Sequence, residues 1–304
     1  MNNRLFLQAG LALALLLGLA GGAEAADKLK AVASFSILGD MVKQVGGDRV
    51  DVVTLVGPDG DAHVYEPTPA DAKNLASSQL LFVNGLGFEG WMDRLEKSSG
   101  FNDKTIVAST GVKPRTMVEE EGGTPETITD PHAWQDLANG RLYAENIRDG
   151  LIQADPEGKA AYEANAAQFI AAINALEPQV KAAFERVPAA RRKIITSHDA
   201  FGYFGAAYGI QLIAPQGVST ESEASAKDVA KIIRQIRQEK IPAMFLENMS
   251  DKRLLEQIGR ETGAKIGGEL YTDALSDAGG PAPTYLQMFR HNVETLTTAL
   301  LVSQ

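Results

Sequence analysis

Short apolar runs alternate along the chain with longer stretches in which apolar residues return every three or four positions. In the first half, residues 29–37 (LKAVASFSI), 50–56 (VDVVTLV), 79–84 (QLLFVN) and 105–108 read as strands. Between them, 38–45, 69–77 and 91–97 have helical spacing, and Pro69 suits a first helical turn capped by Thr68. The second half repeats the alternation. Residues 193–197, 243–246 and 265–267 read as strands. A helix is predicted over 226–238, with Val229, Ile232, Ile233 and Ile236 inward. Another runs from Ser250 or Asp251 to Gly263, and a last one from about 283 to 301. Such alternation predicts an α/β fold with mainly parallel sheets.

Two stretches depart from it. Over 158–187, Tyr162, Ala166, Phe169, Ile173, Leu176, Val180 and Phe184 mark one face of a long helix, which Pro178 is expected to kink or split. No functional polar group lies on that face, so the helix reads as a stiff connector. The expected organisation is an N-terminal lobe over 26–155, the connecting helix over 156–187 and a C-terminal lobe over 188–304. Ligands in such sheets sit beyond the strand ends, which here means in the cleft between lobes. The other departure is 115–129, where Glu119-Glu120-Glu121-Gly122-Gly123 and Pro125 predict a polar, mobile loop.

The N-terminus changes the compartment. Arg4, the apolar residues 11–19 and Ala23-Glu24-Ala25 have the form of a cleavable signal peptide over 1–25. The apolar run is too short for a confident span, so no membrane insertion is expected after cleavage. A periplasmic protein is expected. The sequence has no cysteine, which excludes disulfides and the usual bacterial lipid anchor. A net charge of −10 argues against nucleic acid and anionic lipid as partners. A monomer is expected.

Candidate chemistry rests on histidine, of which the chain has four. His63 lies in Gly60-Asp61-Ala62-His63-Val64-Tyr65-Glu66-Pro67, His132 in Asp130-Pro131-His132-Ala133-Trp134, and His198 in Thr196-Ser197-His198-Asp199-Ala200-Phe201. A single loop histidine is usually just hydrogen-bonded. Three at matching loop and strand-end positions point instead to a metal, since neutral imidazole is its commonest nitrogen ligand. The fourth ligand must be an oxygen or His291. His291 falls inside the last helix and reads as a packing residue, whereas Asp273 follows a strand and is the better candidate. Glu221, Glu223 and Glu247 are candidate partners for the far ring nitrogens.

At this point the chain resembles the zinc- and manganese-binding solute-binding proteins of ABC importers, the ZnuA/TroA-like group. The resemblance runs through Ala31-Val32-Ala33-Ser34-Phe35-Ser36-Ile37, His63-Val64-Tyr65-Glu66-Pro67-Thr68-Pro69, the Asp130 and Ser197 segments above, and Tyr271-Thr272-Asp273-Ala274-Leu275. It implies His63, His132, His198 and Asp273 as metal ligands, a membrane permease as partner, and Zn2+ as transported ligand. A histidine rather than a glutamate at position 198 is the zinc-type choice, which makes Mn2+ the second choice. Many zinc-type relatives carry a histidine-rich loop before the second ligand; here 115–129 has only acids.

Two other functions compete. A zinc hydrolase needs an open coordination position and a general base. Four protein ligands would fill the tetrahedron, and neither His-Glu-x-x-His nor Gly-x-Ser-x-Gly occurs. A siderophore or cobalamin receptor would need a wide aromatic or basic cleft and no converging histidines. No enzymatic activity is expected.

Overall fold

The structure is a computed structural model, and it describes residues 27–121, 124–221, 224–239, 241 and 243–302. The expected signal peptide lies outside the described residues. Among them, no helix is long and apolar enough to cross a membrane.

The first lobe is built on strands β1 (Leu29–Phe35), β2 (Val50–Val56), β3 (Leu80–Val83) and β4 (Lys104–Val107), with helices α1 (Ser36–Gly46), α2 (Pro69–Ala76) and α3 (Met92–Ser99) between them. The strands lie in the order β2-β1-β3-β4, all parallel. Every connection is therefore a crossover, and the strand ends all open toward one edge. The predicted start of α2 is realised in full. Thr68 accepts from the Asp71 backbone while the Asp71 side chain accepts from the Thr68 backbone, a reciprocal capping box behind Pro69.

Residues 115–129 are not the expected loop. Strands β5 (Arg115–Glu121) and β6 (Thr124–Asp130) pair antiparallel, from Arg115 opposite Asp130 to Glu121 opposite Thr124. The polar composition concealed the strand pairing, although Gly-Gly in the sequence between two runs is by itself a turn signal. The second strand ends two residues before His132, so a paired strand rather than a slack loop leads into that histidine.

Helix α4 (Leu137–Ala154) follows, and then α5 (Lys159–Glu185), an unbroken helix of 27 residues. Pro178 neither ends nor divides α5. It sits on the exposed side, and the carbonyl it leaves without a donor belongs to exposed Asn174, where water can serve. All seven residues of the predicted stripe are buried. Helix α5 packs on α1 and α4 of the first lobe and on α6 (Gly202–Tyr208) and α9 (Tyr285–Val302) of the second.

The second lobe has strands β7 (Lys193–Ile195), β8 (Gln211–Ile213), β9 (Ala243–Glu247) and β10 (Lys265–Leu270), with α7 (Ala226–Glu239) and α8 (Arg253–Thr262). Its order is β10-β9-β7-β8, again parallel. Strand β10 outruns its expected end at residue 267 because Gly268, at φ 146°, absorbs a bulge that other residues resist. Ile232 and Ile236 of α7 are buried, with Val229 and Ile233 half-buried beside them. A main core runs from Phe35 and Trp134 through the α5 stripe to Phe204 and Tyr285, and a smaller one lies under α7 and α8. Because the larger core crosses from one lobe to the other, the lobes are held as one packed body.

Candidate metal centre

Four connections meet where the two sheets face each other. His63 is in the segment after β2, His132 directly follows β6, and His198 and Asp273 each stand three residues beyond β7 and β10. All four side chains are buried, His132, His198 and Asp273 completely. One ligand atom from each lies within 4.8 Å of the others. His63 Nε2 is 3.3 Å from His132 Nε2 and 3.2 Å from Asp273 Oδ2. His198 Nε2 is 3.0 Å from Asp273 Oδ2, and His132 Nε2 is 3.6 Å from Asp273 Oδ1. A tetrahedron with legs of about 2.0–2.1 Å has edges of about 3.4 Å, which is the scale of these separations.

The backbone next to each ligand is tied down. Trp91 Nε1 donates to Ala62 O at 2.7 Å, Asn84 Nδ2 to Pro131 O at 2.9 Å, and Trp134 Nε1 and Gln135 Nε2 to Thr272 O at 2.9 and 2.7 Å. The carbonyl just before His63, His132 and Asp273 is thus held by a buried side chain. Phe88 packs its ring 4.7 Å from that of His63, and Trp134 lies 5.2 Å from His132. The positions of these side chains are therefore set by packed aromatic groups and not by the loops alone.

A repeated Asp-x-His pattern does similar work, and the sequence reading missed it. Asp61 Oδ1 accepts from His63 N at 2.9 Å, and Asp130 Oδ1 accepts from His132 N at 3.0 Å. Asp130 Oδ1 also lies 2.9 Å from His132 Nδ1. The signal was visible in Asp61-Ala62-His63 and Asp130-Pro131-His132, because an Asp two residues before a backbone N–H readily caps it.

Of the three glutamates expected to support the ligands, Glu247 does so. Its Oε2 is 2.6 Å from His198 Nδ1, an ion-pair contact that is not aligned as a hydrogen bond. Glu221 is exposed, and Glu223 lies outside the described residues. His291 is not part of the cluster. It donates from Nε2 to Glu269 O at 2.9 Å and packs against Tyr271, as a helix-packing residue does.

Burial and carboxylates oppose each other here. Burial alone would push the His132 pKa down, but the charge of Asp273 and the bond to Asp130 outweigh it and hold it at about 9. For His198, Glu247 and Asp273 overcome burial and raise it well above its ordinary value. His63 is lowered, because burial wins over Asp273. Burial would raise the Asp273 carboxyl, yet His132 and His198 hold it well below the usual carboxylate range. Asp273, Asp130 and Glu247 together make the spot favourable for added positive charge. Two atoms of the cluster, His198 Nδ1 and Asp273 Oδ1, are buried without a hydrogen-bond partner.

Two parallel-sheet lobes with a buried nest of imidazoles and carboxylate between them define a metal-binding receptor. The comparisons give the lineage. Residues 31–299 match the family model described as zinc-uptake complex component A, periplasmic. The manganese-binding lipoprotein MntA of Halalkalibacterium halodurans is 33% identical over 280 residues, 92% of this chain and 91% of its own. The iron ABC transporter substrate-binding lipoprotein MtsA of Streptococcus pyogenes is 32% identical over 280 residues, 90% of this chain and 89% of its own. The structure of the periplasmic zinc-binding protein TroA of Treponema pallidum superposes with a TM-score of 0.84 at 30% identity, covering 90% of this chain and 99% of that one. The chain belongs to the ZnuA/TroA-like family, the metal substrate-binding components of ABC importers. Its members are receptors that work with a membrane permease, not enzymes, which removes the hydrolase alternative.

Proposed function

We propose that this protein captures Zn2+ in the periplasm and delivers it to the permease of an ABC importer, with His63, His132, His198 and Asp273 as the ligands. The observation that carries the reading is the buried convergence of three imidazoles on the Asp273 carboxylate, whose Oδ1 has no hydrogen-bond partner. Leaving a buried acceptor unsatisfied costs about 1–3 kcal/mol, and more for a charged group. A cation bound among these atoms removes that cost. Three nitrogens and one carboxylate suit zinc, whereas manganese favours more oxygen. The names of the relatives span zinc, manganese and iron, so the donor set rather than overall likeness supports the choice. Export is supported by Arg4, the apolar run and Ala23-Glu24-Ala25.

A manganese receptor is the second reading, favoured by the manganese-binding relative. Elemental analysis of protein purified from its native compartment, without added metal or chelator, separates them. Zinc in equal molar amount to protein is expected. A predominance of manganese would replace zinc with the second reading, and protein that takes up neither ion, even when supplied, would overturn the receptor assignment.

A further inference from the structure

From the geometry around β9 we infer that Glu247 is a positioning residue that locks the two second-lobe ligands to each other and helps set the preference for zinc. The inference rests on the proposed ligand role of His198 and Asp273. Strand β9 lies between β7 and β10, so its last residue, Glu247, stands between the segment that carries His198 and the one that carries Asp273. Glu247 is completely buried, and both of its oxygens are used. Oε1 accepts from Ser197 N at 2.6 Å and from His198 N at 3.0 Å. Oε2 accepts from Thr272 Oγ1 at 2.9 Å and lies 2.6 Å from His198 Nδ1. Thr272 is the residue before Asp273. One carboxylate therefore spans both ligand segments.

The chemistry also favours a tautomer of the neutral imidazole that a metal would bind: a carboxylate only accepts, so Glu247 favours hydrogen on Nδ1 and leaves the Nε2 lone pair for the ion. An amide in the same place would not only accept. A glutamine could still take the Ser197 and His198 N–H groups on its oxygen. Its NH2 would then face Nδ1 and favour hydrogen on Nε2, the nitrogen the metal needs. It would also meet the Thr272 hydroxyl without a lone pair to offer. Glu247→Gln thus keeps size and burial and reverses the polarity of two contacts. Zinc draws more of its binding from nitrogen than manganese does, so zinc should lose more.

The test compares wild type with Glu247→Gln, with His198→Ala as reference. Zinc and manganese affinities are measured by chelator competition, and visible absorption of the Co2+-loaded protein reports coordination geometry. Circular dichroism and melting of the metal-free proteins report folding. Expected for Glu247→Gln are a zinc affinity lower by roughly 10–100-fold, a smaller loss for manganese, and weaker, shifted Co2+ bands. A purely space-filling role would leave the metal ratio and the Co2+ spectrum alone. Unchanged affinity and spectrum in Glu247→Gln, with His198→Ala strongly impaired, would overturn this inference and leave the receptor reading intact. Wild-type protein that binds neither zinc nor Co2+ would remove both. Should Glu247→Gln fail to fold, Thr272→Val decides: it deletes one of the four contacts and leaves the carboxylate. Weakened zinc binding with altered Co2+ bands supports the role, and no change refutes it.

Discussion

Thr220 and Asp61 join the two lobes beside the metal site: the Thr220 hydroxyl donates to Asp61 Oδ2 at 2.7 Å, while Asp61 Oδ1 accepts from the backbone of His63 at 2.9 Å. The segment carrying His63 is tied across the cleft twice more, by Asp59 N to Leu275 O at 3.0 Å and by Asn248 Nδ2 to Asp59 Oδ1 at 2.8 Å. With His63 as a proposed ligand, those ties would have to break for it to swing away from the cluster. Thr220→Val removes one tie and no ligand. A hydrogen bond is worth about 1 kcal/mol, so zinc release should be faster by about 5-fold. Stopped-flow chelator capture measures it. An unchanged release rate would mean that this bond does not hold the His63 segment closed.

Replacing a ligand should be far more costly. His63→Ala, His132→Ala and His198→Ala each remove a nitrogen from the buried cluster, and each should weaken zinc by orders of magnitude. His291→Ala removes a hydrogen bond to Glu269 O and a ring contact with Tyr271, both outside the cluster, and should change zinc binding little. Competition titration of the four variants compares them directly, and an equal loss in the His291 variant would contradict the proposed ligand set.

His198→Glu tests the metal choice. Two histidines and two carboxylates form a harder, more anionic site, which suits manganese relatively better. The zinc-over-manganese ratio should shrink without inverting, because zinc stands higher in the divalent series. The new side chain would also face Glu247, whose Oε2 is 2.6 Å from the present Nδ1, so affinity for both ions should fall at the same time. Parallel titrations of the two ions read the ratio, and an unchanged ratio would mean that His198 does not touch the metal.

Asp40 of α1 predicts a pH effect away from the metal. It accepts from Tyr285 N at 2.9 Å and from Gln44 at 3.2 Å. Burial raises its carboxyl above the ordinary value, against the opposing pull of Tyr285 N, Gln44 and Lys43. The folded chain therefore binds this proton more tightly than the unfolded one. The resulting stabilisation is fully present below the unfolded pKa of about 3.9 and is lost as pH rises through the raised folded value. Asp40→Asn keeps an acceptor for Tyr285 and removes the charge. Relative to wild type, the variant should gain stability on going from about pH 4 to about pH 7. Melting curves of the metal-free proteins across that range measure the difference, and a constant difference would show that Asp40 does not titrate there.

Much of the fold was legible in the sequence. The stripe from Tyr162 to Phe184 named the buried face of α5 residue by residue, and Thr68 with Pro69 marked the start of α2, because helix periodicity and caps are local physics. The strand runs 50–56 and 243–246 fell in place for the same reason, as did the Gly263 stop of α8. The three histidine segments and Asp273, singled out because ligands of parallel sheets sit beyond strand ends, do come together in one buried cluster.

What the chain could not disclose locally depends on partners distant in sequence. Residues 115–121 and 124–130 looked like parts of a loop, because the acids and glycines there carry no apolar alternation; their pairing with each other makes them strands. Pro178 was expected to kink or split the helix; it does not split it, because the packed face on either side outweighs one lost hydrogen bond on the exposed side. The supporting residues around the ligands were the least visible. Glu247 is 49 residues from His198, Asn84 is 47 from Pro131, and Thr220 is 159 from Asp61. Side-chain chemistry and local periodicity identify what a residue can bind. Which residue it binds is decided only when two sheets and a crossing helix bring remote segments within 3 Å of each other.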